Sequence, residues 1–208
     1  LVEKEALGGT CLNWGCIPTK TLIAASALLE NVRHADTLGL RIEKAACDYA
    51  AMIKNKDQVV AKLRGGIGQL LKSHGVTLLE GQASFTAHNR VSLQQGKKTT
   101  MRLEAKRIII AAGSTSAMPA FLPQSELIVD SRAFLERTQL PQSLIIMGGG
   151  VIGCEFACMA AQLGAEVTIV ELLEDILLML DKDLRSELRR VMEQKLKIKI
   201  LTGAPLEQ

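Results

Sequence analysis

Two cysteines near the start of the chain have a spacing that could carry redox chemistry. Cys11 and Cys16 form a C-x₄-C segment between a glycine-containing loop and a predicted helix. A thiol at a helix N-terminus has its pKa lowered by the helix dipole, which favours the nucleophilic thiolate. C-x₄-C is not a common zinc spacing, and the sequence has no second C-x₂-C or histidine pair to complete a tetrahedral site. The spacing alone leaves two interpretations open: a redox-active disulfide, or two buried free thiols.

A glycine-rich segment later in the chain has the pattern of a dinucleotide-binding loop. Gly148, Gly150 and Gly153 fit G-x-G-x-x-G between an apolar strand and a helix, and a second strand ends at Glu171, 23 residues after Gly148. The three glycines would permit the turn, let a pyrophosphate approach and let the helix pack closely. Glu171 would bind the ribose 2′-OH of NAD and repel the 2′-phosphate of NADP. The alternative is that the glycines only make a tight turn.

Composition and charge exclude several classes of protein. Of the 208 residues 48% are apolar, which allows a buried core, and only 3% are aromatic. The net charge of +3 is spread among acidic and basic residues, which does not predict a nucleic-acid surface. No apolar run approaches the roughly 18 residues of a membrane span, and the first residues are not a signal peptide, so we expect a cytoplasmic protein.

The remaining cysteines and the histidines are predicted to have no catalytic role. Cys154 and Cys158 are four residues apart on one helix face, and we expect them to be small buried residues. His34, His74 and His88 follow helices or lie in a turn, which predicts surface positions. An odd cysteine count also argues against a framework of structural disulfides. We predict no metal site.

Strands and helices alternate along the chain in the order of an α/β fold. Apolar runs and alternating patterns predict strands, and apolar residues at helical spacing predict helices. A proline-containing segment, residues 118–123, is predicted to link two domains. We expect strands at 76–80, 82–86, 91–93, 103–111, 144–147, 166–170 and 196–201, with 144–147 fully buried, and helices at 19–33, 49–72, after the glycine loop to 163, and at 184–195.

Residues 8–20, GGTCLNWGCIPTK, resemble the redox signature of the pyridine nucleotide–disulfide oxidoreductases. The resemblance continues in order through residues 109–114, which are similar to the family's second flavin-contact motif, and through the glycine loop and residues 163–171. Ala112 stands where that flavin motif usually has threonine, so one polar contact would be lost. The resemblance implies two Rossmann-like nucleotide-binding domains, one for FAD and one for NAD.

Four residues are expected to do the chemistry if the resemblance holds. Cys11 matches the thiol that exchanges with substrate, and Cys16 matches the thiolate that lies against the flavin. Lys20 matches a lysine near flavin N5, and Glu155 matches the glutamate that pairs with it. We expect this Lys–Glu pair to be buried; its alternative role is that of a structural ion pair.

The resemblance also implies which residues bind the cofactors and how the chain divides. Glu3 matches the acid that binds the adenosine ribose of FAD, and four further residues would lie along FAD, namely Gly9, Thr10, Gly113 and Ser114. Residues 1–118 would be the FAD-binding domain and residues 119–208 the NAD-binding domain. Both are expected to be incomplete, without the first glycine loop of the FAD unit and without the C-terminal dimerisation domain. We therefore expect residues 1–208 not to turn over by themselves.

The implied reaction is oxidation of protein-bound dihydrolipoamide to lipoamide, with electrons passing through the Cys–Cys pair and FAD to NAD⁺. The implied partners are the lipoyl domain of a 2-oxoacid dehydrogenase acyltransferase or the glycine cleavage carrier, with a homodimer as the active form. In a eukaryote the mitochondrial matrix would replace the cytoplasm. The alternatives are a glutathione- or mercuric-ion-type reductase of the same family, or a non-catalytic nucleotide-binding redox module.

Overall fold

The computed structural model describes residues 1–96 and 98–204, with the backbone alone for residues 98–100. The chain forms two compact units. The first comprises Leu1–Ile17 and Gln58–Ser116, and the second comprises Pro18–Asp57 and the chain from Ala117 onward. The boundary after Ser116 lies close to the predicted linker. The assignment of residues 1–118 to FAD and 119–208 to NAD stays a prediction, and its last four residues lie outside the described chain.

The first unit contains two small sheets. Strand β1 (Val2–Glu3) pairs in parallel with β2 (Leu79–Glu80), and both are short. Three antiparallel strands follow in the order β3-β4-β5, with bounds Gln82–Ala87, Arg90–Gln95 and Lys98–Glu104. The predicted strands at 82–86 and 91–93 are confirmed. The predicted strand at 76–80 is reduced to its last two residues.

The helix predicted at 19–33 begins three residues earlier than the sequence pattern indicates, and a further short helix precedes it. Helix α1 spans Gly9–Trp14, Gly15 interrupts it, and α2 spans Cys16–Arg33. Pro18 is tolerated because it lies in the first turn of α2, where its missing N–H would have no helical acceptor. A 3₁₀ turn (Ala35–Leu38) follows, and α3 runs from Tyr49 to Ser73. Helix α3 confirms the prediction for 49–72.

The predicted strand at 103–111 is wrong over most of its length. Strand β5 ends at Glu104, and residues 105–119 form neither helix nor strand. A strand requires a neighbour for its backbone hydrogen bonds, and no described residue pairs with this segment. The exposed fraction of Ile109 is 91%. An apolar β-branched pattern predicts only a tendency, because pairing depends on residues far away in sequence.

The second unit is a parallel α/β layer, as predicted. Strands β6 (Ser143–Met147), β7 (Glu166–Val170) and β8 (Lys199–Leu201) pair in parallel in that order. Helices α5 (Val151–Gln162) and α6 (Lys182–Gln194) connect them, and a short α4 (Ser131–Glu136) precedes them. Strand β8 is shorter than predicted because Lys197, with φ of 56°, bends the chain before it.

The core of the second unit has two clusters, one aliphatic and alanine-rich and one that contains the contacting rings of Phe134 and Phe156. Helix α5 packs on β7 through fully buried residues, and α6 adds another, in a group formed by Ala157, Ala160, Ile169, Ile176 and Met192. The prediction that strand 144–147 is fully buried is wrong, since Ile145 is 73% exposed. One face of β6 is packed, and no described residue covers the other. None of the described helices is long and apolar enough to cross a membrane.

Truncation of Ile169 tests this core. Ile169 on β7 is completely buried. We expect Ile169→Val to lower the free energy of unfolding by about 1 kcal/mol and Ile169→Ala by about 2–5 kcal/mol, because each step removes packed methyl groups and leaves a larger cavity. Urea denaturation of the three proteins measures the difference. Equal, near-zero losses would contradict this placement.

Candidate functional site

The dithiol segment is built from two helix ends. Gly8, with φ of 106°, turns the chain into α1, which carries Cys11. Cys16 is the first residue of α2, so the predicted position at a helix N-terminus is confirmed for this thiol. Both cysteines are exposed. This exposure contradicts the alternative of two buried free thiols.

A buried amide between the two cysteines holds this segment. Asn13 is 6% exposed. Its Nδ2 donates to the carbonyl oxygens of Leu7 at 2.9 Å and Gly9 at 3.0 Å. Its Oδ1 accepts hydrogen bonds from Nε of Arg64 at 3.0 Å and Nη2 of Arg64 at 2.7 Å. Sequence reasoning missed both residues. A polar residue inside an otherwise apolar helical turn was the available signal, and it did not identify the partner.

Lys20 and Glu155 form the ion pair that the resemblance implies. Nζ of Lys20 on α2 donates to Oε1 of Glu155 on α5. The expectation that the pair is buried is wrong, because the side chains are 59% and 26% exposed. An ion pair this accessible contributes about 0–1 kcal/mol to stability. This small contribution to stability does not by itself explain why the ion pair is present.

The glycine loop has the geometry of a tight strand-to-helix turn. Strand β6 ends at Met147, and Gly148 has φ of 107°, which a side chain rarely adopts. A Cβ on Gly153 would lie 2.1 Å from the Gly148 carbonyl oxygen, so only glycine allows this approach of α5. A Cβ on Gly150 would meet no atom within 4 Å. The loop therefore leaves open space at Gly150.

The residues of this loop fit a dinucleotide. The first backbone hydrogen bond of α5 runs from Cys154 N to Gly150 O, and no side chain caps Gly150. The preceding N–H groups have no helical acceptor, and together with the helix dipole they suit a pyrophosphate. Val151 and Ile152 are exposed there. The free N–H groups at this uncapped helix N-terminus are the hydrogen-bond donors that the pyrophosphate of such a cofactor requires.

Glu171 lies at the same loop, where the sequence predicts it. Its Oε2 accepts a hydrogen bond from Gly149 N at 2.6 Å, and its Oε1 accepts one from Leu173 N at 2.8 Å. The Gly149 carbonyl in turn accepts from Leu177 N at 2.9 Å. The segment after β7 is thus bound to the glycine loop through both peptide groups of Gly149. These bonds fix the carboxylate beside the loop as an acceptor.

Five of the residues expected to contact FAD belong to the first unit, whereas Lys20, expected near flavin N5, belongs to the second. Glu3 ends β1, and its Oε1 accepts from Glu5 N at 2.8 Å. Four others are exposed: Gly9, Thr10, Gly113 and Ser114. The first two lie at the start of α1, and the last two lie in the irregular segment after β5. Their accessible backbone groups are compatible with a ligand, and their roles stay predictions.

The histidines and Cys154 lie where the sequence predicts them, whereas Cys158, predicted to be buried, is only half-buried. His34, His74 and His88 are exposed. Burial raises the pKa of Cys154 to about 12, and burial raises the pKa of Cys158 to about 11, with nearby negative groups adding to both shifts. These two thiols are therefore poor nucleophiles. Within residues 1–96 and 98–204, no group of three or more His, Cys, Asp or Glu side chains could hold a metal ion.

Comparison with known proteins gives the family. The family model described as pyridine nucleotide-disulphide oxidoreductase matches residues 1–208. The chain belongs to this family. Among the relatives of this chain, the dihydrolipoyl dehydrogenase of Chlamydia pneumoniae is 39% identical over 206 residues, covering 99% of this chain and 44% of the relative. That of Bacillus subtilis (strain 168) is 38% identical over 94% of this chain and 42% of the relative.

Solved structures are similar to this chain over all or nearly all of its length. A Cu(II) complex of the HOCl-induced flavoprotein disulfide reductase RclA from Escherichia coli matches with a TM-score of 0.86 and 28% identity, covering 100% of this chain and 44% of RclA. LpdA from Mycobacterium tuberculosis matches with a TM-score of 0.87 and 25% identity, covering 98% and 45%. The chain thus spans less than half the length of these relatives.

The contact between Gly153 and Gly148 can be tested by a matched pair of substitutions. Gly153→Ala places a methyl group against the Gly148 carbonyl, so we expect a loss of about 1–3 kcal/mol in the free energy of unfolding. Gly150→Ala should change it by less than about 0.5 kcal/mol, because the added methyl meets open space. Urea denaturation measures both. A Gly153→Ala protein as stable as Gly150→Ala would rule out the close approach.

The buried thiols of α5 predict a pH dependence. In the unfolded chain these thiols lose their protons near pH 9, whereas in the folded chain they keep them to about pH 11–12. The resulting stabilisation is present below pH 9 and is lost as the pH rises towards 11–12, by about 1 kcal/mol per thiol at pH 10. The free energy of unfolding should therefore fall less between pH 8 and 10 in Cys154→Ala/Cys158→Ala than in the wild type. Identical slopes would contradict the shifted pKa values.

Proposed function

We propose that the full-length protein is a dihydrolipoamide dehydrogenase, which oxidises protein-bound dihydrolipoamide and delivers the electrons through Cys11–Cys16 and FAD to NAD⁺. The observation that carries this proposal is the exposed thiol pair, held between α1 and the first residue of α2. The names of the relatives support the substrate class. In this proposal residues 1–118 bind FAD and residues 119–208 bind NAD.

In this proposal the roles of the two sulfurs are those that the family resemblance implies. A thiolate of dihydrolipoamide attacks Cys11 Sγ of the Cys11–Cys16 disulfide and releases Cys16 as a thiolate. The second substrate thiol then displaces Cys11 and closes the lipoamide disulfide. Two electrons have passed from the substrate to the pair. Cys11 takes up the proton of the second substrate thiol, and Cys16 stays a thiolate because the first substrate thiol had already lost its proton. When bound, FAD supplies the step that turns these electrons into a hydride for NAD⁺.

Lys20 and Glu155 would hold positive charge in place near the reacting centre. Glu155 accepts from Lys20 Nζ, which fixes the position of the ammonium group. A fixed ammonium stabilises negative charge that develops nearby, and it requires no reorganisation when the charge appears. The 26% exposure of Glu155 lets it keep this role without a large desolvation cost.

Glu171 favours NAD over NADP in this proposal. Both carboxylate oxygens are oriented by backbone N–H groups, so the side chain stays an acceptor beside the glycine loop. Such a group suits a ribose 2′-OH and repels a 2′-phosphate. The next residues, Leu172 and Leu173, are exposed and apolar, and they offer no charge to a phosphate.

The proposed partner is a lipoyl domain, either of a 2-oxoacid dehydrogenase acyltransferase or of the glycine cleavage carrier. This proposal rests on the dihydrolipoyl dehydrogenase names of the relatives. We further propose a homodimer that works in the cytoplasm, or in the mitochondrial matrix of a eukaryote. These compartments keep catalytic thiols reducible.

Serine substitutions test the role of the thiol pair in the full-length protein. We expect Cys11→Ser and Cys16→Ser each to lower the dihydrolipoamide:NAD⁺ activity by more than about 10³-fold, because each removes one sulfur of the exchanging disulfide. Cys47→Ser removes another exposed thiol and serves as the control, with activity unchanged. The assay follows the rise in absorbance of the reduced nicotinamide as NADH forms. Wild-type activity in Cys11→Ser would refute the proposed function.

A further inference from the structure

Asn13 uses its complete hydrogen-bonding capacity inside the dithiol segment. A carboxamide offers two N–H donors and two acceptor lone pairs. The two donors bind Leu7 O and Gly9 O, and the two acceptor positions bind Arg64. Asn13 lies between Cys11 and Cys16 in sequence and is buried. Its four bonds therefore join the loop before α1, α1 itself and the guanidinium of Arg64.

Arg64 reaches this segment from α3, 51 residues further along the chain. Two of its N–H groups, on Nε and Nη2, converge on the single Oδ1 atom. One helical turn further on, Gly68 lies beside the loop, where an added Cβ would be 3.8 Å from Leu7 Cδ1. Helix α3 thus lies beside the loop that leads into α1 and, through Arg64, contacts the residue between the cysteines.

We propose that Arg64 is a positioning residue for the Cys11–Cys16 pair and that it acts through Asn13. This inference rests on the proposed function of that pair. Without Arg64, Asn13 Oδ1 is left buried without its charged donor, which favours rearrangement of the segment. If the segment from Cys11 to Cys16 becomes more mobile, the effective concentration of the Cys11 sulfur at the Cys16 sulfur falls. Arg64 thereby stabilises the disulfide relative to the dithiol.

The equilibrium with dithiothreitol measures this effect in the full-length flavin-containing protein. Dithiothreitol donates two electrons and two protons, so the Cys11–Cys16 disulfide becomes two thiols as dithiothreitol becomes its cyclic disulfide. After equilibration in buffers of known ratio, acid quenching and alkylation with N-ethylmaleimide, mass spectrometry gives the fraction of Cys11 and Cys16 that is reduced.

Two Arg64 variants and one control define the expected result. In Arg64→Met we expect the equilibrium constant to shift about tenfold towards the dithiol, which corresponds to a potential about 30 mV less negative. Arg64→Lys keeps a charged donor but loses the planar fork, so its shift should be smaller in the same direction. Lys62→Met removes an exposed charge from the same helix and should shift the constant less than about twofold.

A double variant tests whether Arg64 acts through Asn13 or has a general effect on the disulfide equilibrium. If Arg64 acts through Asn13, Asn13→Ala/Arg64→Met should shift the equilibrium no further than Asn13→Ala alone. Additive shifts would overturn the proposal, and so would an Arg64→Met constant equal to that of the wild type or shifted towards the disulfide. If Arg64→Met fails to retain flavin, Arg64→Lys decides by the same criteria. A wild-type protein that forms no Cys11–Cys16 disulfide would overturn the proposed function itself.

Discussion

The polar groups of two glycine-containing loops must be hydrogen-bonded, and in each loop one side chain meets much of this requirement. In the first unit Asn13 donates to the carbonyls of Leu7 and Gly9. In the second unit Glu171 accepts from the amide of Gly149. A buried backbone group without a partner is costly, so these side chains restrict each loop to a narrow set of conformations. The candidate functional groups lie directly on these loops or next to them.

This constraint explains how exposed groups can keep a defined position. In the proposed function Cys11 and Cys16 must be accessible to exchange with a bulky substrate, and accessible residues on a short helix or at a helix end are usually mobile. Asn13 lies between them in sequence and is buried. Its hydrogen bonds can therefore hold the segment in place while both cysteines stay exposed. The glycine loop likewise combines a fixed backbone with an accessible surface. There the peptide groups of Gly149 are bound while the space at Gly150 stays open.

Local sequence patterns predicted the features that depend on neighbouring residues, and they failed where distant residues decide. Strand β7, helix α5 and the roles of Gly148 and Gly153 in the turn follow from contiguous residues. The isoleucines at 108–110 have a strand pattern, but strand formation requires a partner that no described residue provides.

Contacts between residues far apart in sequence were likewise not predicted by local patterns. The Lys20–Glu155 pair, 135 residues apart, was expected only from the family resemblance, because no local pattern joins α2 to α5. The bond between Asn13 and Arg64 was not predicted at all. It requires knowing that α3 passes beside the dithiol segment. A local motif and a long-range contact coincide at the Cys11–Cys16 pair.

An anaerobic titration of the full-length protein with dihydrolipoamide, followed by its visible spectrum, tests the proposed role of the Cys11–Cys16 pair most directly. We predict a flavin spectrum that develops a long-wavelength charge-transfer band, which NAD⁺ then bleaches. A flavin reduced only by NADPH, or a protein without bound flavin, would contradict the account.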